Sequence, residues 1–380
     1  MDQIEQKREQ WRRKAQEVRK EVVAPRAEEI DARGEFPWDI ADVFFREGFL
    51  SLLIPGEYGG SDADTTSFCL IAEEIARSCA SSSLLLIVQA VGTMPIALGG
   101  SEEMKRAFLT RIVKEKKLVC FCLTEPETGS DAASLRTKAV MKDGHYVLNG
   151  TKCFITNGGI ADFYTVFATT NPMKKMEGIT GFAVEKGTSG LSVGKEENKM
   201  GIRGSNTTEV ILSDVAVPVS QRIGDEGVGW WLMMRTLNRS RPAIAAQSVG
   251  IAQGALDYVV QYGRQREWAK KRDEMLGIQF QLADMAVEIE AARALVYKSA
   301  LMMDEKVKGV PVQMFSAMAK YFASDVAMKV TTNAVQILQM EGLLRRHPLE
   351  RMMRDAKVTQ IFEGTNQIQR MVVAHTLLKG

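Results

Sequence analysis

A lone carboxylate near the end of the chain, Glu363, lies in KVTQIFEGTNQIQR (residues 357–370), between an apolar stretch and Gly364-Thr365. An acid kept away from bulk water has a raised pKa and can take a proton from carbon. On its own, a Glu before a glycine marks a helix end more often than a base. Two upstream segments give it something to act with: LTEPETGSDAASL (123–135) and NGTKCFITNGG (149–159) combine Pro/Gly turns, hydroxyls and an aromatic with strand-like residues.

Other chemistries find less support. The three histidines, His145, His347 and His375, are far apart and no motif joins them, which argues against Ser-His-Asp or His-metal catalysis. The five cysteines, Cys69, Cys79, Cys120, Cys122 and Cys153, lack metal-ligand spacing and read as reduced thiols, so no metal is expected. A formal net charge of +2, from 49 basic and 47 acidic residues, gives no reason to expect nucleic acid or an anionic membrane as partner. The start, MDQIEQKREQWRRK, has no apolar h-region and reads as a first helix, so a cytoplasmic location is the expectation. No run approaching eighteen apolar residues stands out, so no membrane insertion is expected.

The elements that must position Glu363 fall into three blocks. With 380 residues, 45% hydrophobic and 25% charged, the chain reads as a globular protein of two or three domains. Residues 1–118 are helical in pattern, with Pro25 interrupting the first helix and Ser101 placed as an N-cap. Between 119 and 224 the period changes to that of an antiparallel β domain. Asp143-Gly144 and Asn149-Gly150 separate three of its strands as hairpin turns, and NPMKKMEG (171–178) reads as a hairpin tip. Helices return over 225–380, where Leu282, Met285, Ile289, Ala292 and Val296 form a seam. The fold class is α+β. Gln89 and Thr93, polar residues in an apolar helix, read as core residues ahead of contacts to a ligand.

An α–β–α chain with these segments in this order resembles the acyl-CoA dehydrogenase family. FLSLLIPGEYGG, FCLTEPETGSD, LNGTKCFITNGG, KMGIRGSNTTEVILSDVAVP and RDAKVTQIFEGTNQIQR all match family segments, and the resemblance covers nearly the whole chain. It implies a C-terminal four-helix bundle, FAD as cofactor, an acyl-CoA substrate oxidised to the 2,3-enoyl thioester, an electron-transfer flavoprotein as acceptor, and a homotetramer. By resemblance Glu363 is the base, its own N–H helps hold the thioester carbonyl, and Gly364 allows the substrate close. Phe121, Leu123 and Thr124 match positions lining the flavin ring. Gly129 and Ser130 match the turn where flavin and the CoA arm pass, Ser130 also touching substrate. Phe154, where the family usually has Trp, and Thr156 match a residue stacked on the ring and one bonded near its reactive edge. Arg241 matches an arginine near the buried end of the substrate site. Asn238, where the family often has Asp, matches a contact to the CoA arm. Thr365 and Gln367 match further cofactor positions. Some relatives carry their base at the position of Ser240, which cannot serve as one.

Departures from the family pattern gather on one unit. Arg266 and Gln336 keep family residues that reach the pyrophosphate and adenosine of FAD across a subunit interface. The segment REWAKKRDEML after Arg264-Gln265 is apparently one residue short, and Gln339-Met340 stands in place of a Gly-Gly pair. Two readings stay open: FAD is bound differently or less tightly, with Lys270, Lys271 or Arg272 taking over phosphate contacts, or compensating residues preserve its affinity. Two other activities stay open on the same fold, an acyl-CoA oxidase and an enoyl-CoA reductase. A flavin-poor, non-catalytic acyl-CoA-binding subunit is a reading from another class. The acyl group is not legible.

Overall fold

In the computed structural model, residues 3–270, 275–307 and 309–379 are described. The first helix is one long rod with a seam. α1 (Gln3–Val18) passes through a π-turn at Arg19–Val23 into α2 (Ala24–Arg33). Pro25 falls just after this π-turn, where the ladder has already shifted to an i→i−5 bond from Ala24 N–H to Arg19 O, so the rod continues past the proline. α3 (Trp38–Arg46), α4 (Thr65–Ala76), α5 (Ala80–Gly99) and α6 (Glu102–Lys114) follow. Asp64 caps α4, accepting from the Ser67 N–H, and Ser101 caps α6, accepting from the Met104 N–H.

α5 does contain a run long and apolar enough to cross a membrane, contrary to the sequence reading, but Ala80 to Ile96 are all buried inside the protein. It joins the helical and β parts. Gln89 donates to Lys117 O at 2.9 Å and accepts from Val119 N at 3.0 Å, Thr93 bonds back to Gln89 O, and Thr165 donates to Gly92 O at 2.7 Å. Gln89 and Thr93 are therefore satisfied core residues.

The sheet comprises β1 (Val119–Cys122), β2 (Lys138–Lys142), β3 (His145–Thr156), β4 (Phe163–Thr169), β5 (Ile179–Glu185), β6 (Leu191–Glu196), β7 (Thr207–Pro218) and β8 (Arg222–Ile223). Its order is β6-β7-β3-β2-β4-β5-β8, with β1 on β4. Pairing is antiparallel except that β1 runs parallel to β4 and β2 meets β4 in parallel at Lys138 and Thr169. Asp143-Gly144 makes the β2–β3 hairpin as expected. Asn149-Gly150 does not turn the chain: HYVLNG and TKCFIT form one strand, β3, with an irregularity in its pairing to β7. Asn149 bonds Asp214, and a Cβ on Gly150 would lie 2.4 Å from the Thr137 hydroxyl, so the glycine makes room for a neighbouring segment. Residues Pro172–Gly178 bridge β4 and β5 as a short 3-10 segment.

Three long helices, α7 (Gly229–Gln265), α8 (Leu276–Asp304) and α9 (Val312–Leu338), make the C-terminal bundle, closed by α10 (Leu349–Thr359) and α11 (Asn366–Leu378). Met285, Ile289, Ala292 and Val296 are buried as the seam predicts, and Leu282 packs at its edge. One hydrophobic core contains α4 and α5 together with α7, α8 and α9. All five cysteines are free and buried.

Candidate active site

Glu363 follows α10 in a tight turn, at φ 54, a left-handed value that is unusual outside glycine. Gly364 continues the turn at φ 93, and a Cβ there would lie 2.6 Å from Gln369 Nε2. Thr365 then caps α11, its side chain accepting from the Ile368 N–H. The turn is fastened from below. Lys320 on α9, fully buried, donates from Nζ to Gly364 O at 2.8 Å and to Asn366 Oδ1 at 3.0 Å. Gln369 Nε2 also donates to Gly364 O, at 3.0 Å.

The carboxylate of Glu363 meets α7. Ser240 Oγ lies 3.1 Å from Glu363 Oε2, and the neighbouring Arg241 is buried with Nη1 donating to Asn238 Oδ1 at 2.6 Å. The residue as a whole is half-buried, but protein encloses its carboxylate on most sides. Burial pushes its pKa above the ordinary carboxylate range; the Ser240 hydroxyl and the charges of Arg241 and Lys320 pull the other way. Burial also brings Lys320 down to about 7 and lowers Arg241, each partly offset by Glu363. The site is thus a carboxylate poised above its usual range beside two cationic groups in a poorly solvated corner.

A second patch lies at one end of the sheet. The Cys153 N–H donates to Thr124 O at 2.9 Å, tying the loop after β1 to β3. Phe154 sits at φ 55 where the pairing of β3 with β7 slips, and the residue is 63% exposed. Phe121, Leu123, Thr124 and Thr156 are half-buried, while Gly129 and Ser130 are exposed. Behind them, the fully buried Lys152 donates to Glu125 Oε1 at 2.8 Å and to Leu123 O at 3.1 Å. Glu125 also accepts from Arg136 N at 2.6 Å, Thr137 N at 2.9 Å and Thr128 Oγ1 at 3.2 Å. Burial alone draws Lys152 down, whereas Lys152 and these donors hold Glu125 below its ordinary value despite burial. Lys152 and Glu125 thus make a short buried contact with every carboxylate oxygen bonded.

A third patch is remote from Glu363 within the same protomer. Arg266 lies beyond the end of α7, 25 positions after Arg241, so about 36 Å of helix separates their ends of the bundle. Gln336 is about 24 Å along α9 from Lys320. Both are exposed, and the Arg266 guanidinium stacks 3.4 Å from the Tyr262 ring centre. Gln339 takes φ 53 and ψ −129, backbone angles that favour glycine, and opens a short 3-10 turn to Leu343. Lys270 pairs with Glu267 at 2.5 Å; Lys271 and Arg272 lie outside the described residues. Gln367 is exposed on the first turn of α11.

The structure therefore gathers Glu363, Gly364, Thr365, Ser240, Arg241 and Asn238 in one place and the β-strand residues in another. Arg266 and Gln336 stand apart from both. Lys320 and the Lys152–Glu125 pair were not singled out from sequence. The available signal was a lysine inside a buried run: Lys320 among Ser316, Ala317, Ala319 and Ala323, and Lys152 in an alternating strand.

Comparison with known proteins agrees with this architecture. Sequence models of the acyl-CoA dehydrogenase N-terminal, middle and C-terminal domains match residues 5–116, 120–215 and 227–378. The chain belongs to the acyl-CoA dehydrogenase family and is an enzyme of that family. It is 47% identical to cyclohex-1-ene-1-carbonyl-CoA dehydrogenase of Syntrophus aciditrophicus, over 94% of this chain and 86% of that protein. It superposes on butyryl-CoA dehydrogenase from Megasphaera elsdenii with a TM-score of 0.94 at 41% identity, covering 100% and 99% of the two chains. A chain in a structure of the electron transferring flavoprotein of Acidaminococcus fermentans gives a TM-score of 0.95 at 40% identity, with 100% and 99% covered.

The family binds FAD, and the ring-side residues suit it. Phe154 offers an exposed aromatic face beside the Leu123-Thr124 segment, and a Cβ built on Gly129 meets no atom within 4 Å, so the adjoining turn is open to a ligand.

Proposed function

We propose that this enzyme oxidises the Cα–Cβ bond of an acyl-CoA to the 2,3-enoyl thioester, with FAD as resident cofactor and Glu363 as the base that takes the α-proton. The observation that carries this reading is the Glu363 carboxylate itself: held by a fastened turn, raised by burial, and set against Ser240, Arg241 and Lys320. A raised pKa increases the proton affinity of the base, while the Ser240 hydroxyl and the charges of Arg241 and Lys320 limit that rise. The left-handed turn at Glu363 and Gly364 leaves the Glu363 N–H available to hold the thioester carbonyl, where charge develops as the proton leaves. FAD, when bound, supplies the acceptor for the β-hydride. Phe121, Leu123, Thr124, Phe154 and Thr156 would hold its ring, while Ser130, Asn238 and Arg241 would line the path of the substrate.

The roughly 36 Å of helix between the Glu363 end of α7 and Arg266 supports the site completed by a second subunit that the resemblance implies, with Arg266 and Gln336 serving the partner's FAD in a homotetramer. An electron-transfer flavoprotein as acceptor accords with the family resemblance.

Anaerobic titration with straight-chain, branched, cyclic and dicarboxylic acyl-CoAs should bleach the flavin absorbance with at least one of them. Glu363→Gln should retain flavin and bind acyl-CoA but slow bleaching at least about a hundredfold. In the wild type the bleaching rate should fall as pH drops through the titration of Glu363, because only the carboxylate accepts a proton. Equal rates in wild type and Glu363→Gln would remove Glu363 as the base.

A further inference from the structure

We propose that Ser240 is a positioning residue that gives the two oxygens of Glu363 different tasks: Oε2 is anchored to the serine hydroxyl and Oε1 is left to take the proton. This rests on the reading of Glu363 as the base. The geometry is specific. Ser240 is fully buried on α7, and its Oγ is 3.1 Å from Glu363 Oε2 and also 3.1 Å from Leu237 O. A hydroxyl has one proton, so it serves these two acceptors alternately. Oε1 has no hydrogen-bond partner among the described residues.

The two acceptors differ in what they ask of the hydroxyl. While Glu363 is ionised, a charge-assisted bond from Ser240 to Oε2 is the stronger choice. It fixes the carboxylate plane and leaves Oε1 unbonded. Once Oε1 carries a proton, charge on Oε2 falls, and the hydroxyl can turn to the Leu237 carbonyl without being stranded in the core. Ser240 therefore favours the carboxylate over the acid at little cost to the acid. Its effect on Glu363 has the same sign as those of Arg241 and Lys320 but, unlike theirs, is directional.

The test compares wild type, Ser240→Ala and Ser240→Thr. Alanine is the best helix former, so the first variant keeps α7; threonine keeps the hydroxyl. The Glu363 carboxyl is titrated by infrared difference spectroscopy on the protein as purified, its band assigned by loss in Glu363→Gln. In parallel, the pH dependence of single-turnover flavin bleaching is followed with the best acyl-CoA. Ser240→Ala should raise the proton affinity of Glu363 roughly fivefold, the difference between a charged and a neutral hydrogen bond. The pH profile for bleaching should move by the same factor, and Ser240→Thr should stay with the wild type. An unchanged midpoint in Ser240→Ala overturns the proposal, and so does a Ser240→Thr midpoint shifted as far as that of alanine. If wild type is not bleached by any acyl-CoA, the catalytic reading fails, while the infrared titration still decides whether Ser240 controls Glu363.

Discussion

Replacing Lys152 by methionine should loosen the sheet end that carries Phe154 without touching Phe154. Lys152 is 0% exposed, and its ammonium is shared between Glu125 Oε1 and Leu123 O. Methionine fills a similar volume but leaves Glu125 charged and buried, with only the Thr128 hydroxyl and the Arg136 and Thr137 N–H groups to hold it. Removing one member of a buried ion pair costs about 3–5 kcal/mol. Unfolding entropy of about 2.1 cal/mol/K per residue gives roughly 0.8 kcal/mol/K for 380 residues. The melting temperature of Lys152→Met should therefore fall by about 4–6 °C. Because Glu125 gathers the loop that includes Leu123 and Thr124, flavin content after gel filtration should fall as well. A double-mutant cycle with Glu125→Gln should show coupling of about 1–3 kcal/mol. A drop under 1 °C, or strict additivity, would refute the claim that this pair holds the loop.

Gln339 bears backbone angles suited to glycine with an exposed side chain, so Gln339→Gly should stabilise the protein by about 1 kcal/mol, read as a higher urea midpoint; no gain would mean the turn is unstrained. Asp355 is buried against the Ile202 N–H, and burial pushes its pKa up to about 6 from an ordinary 3.8. The folded protein keeps a proton there that the unfolded chain releases, so this contribution to stability is complete below about pH 4 and is lost as pH rises through 6. Relative to wild type, Asp355→Asn should therefore gain stability on going from pH 4 to pH 7, measured by urea midpoints across that range; a constant difference would contradict the raised value.

The order of helices and strands was legible because period and punctuation report local structure. The Ser101 cap, the Asp143-Gly144 turn and the α8 seam all act within a few residues of themselves. Asn149-Gly150 misled because the same dipeptide that makes a hairpin also makes a strand irregularity, and the choice depends on Thr137 and Asp214, which arrive from elsewhere. The candidate base was legible through its turn, since Glu363-Gly364 forces the chain in a recognisable way. What holds that turn was not. Lys320 acts on a carbonyl 44 positions later, and Lys152 on a carboxylate 27 positions earlier. A buried lysine reads as an ordinary polar residue until its partner is placed beside it.

The common core of the early and late helices also bears on how the protein is made. α5 is complete at Gly99, yet the α7 helix that covers it ends only at Gln265. At about 5–20 residues per second, synthesis of the intervening chain takes roughly 10–30 s. Throughout that interval a twenty-residue apolar helix has emerged from the ribosome without its main cover. It is then the segment most exposed to chaperones, to membrane-targeting factors and to other nascent chains. A truncation ending after the sheet, near residue 224, should leave that helix permanently uncovered and be found in aggregates, whatever the integrity of its strands.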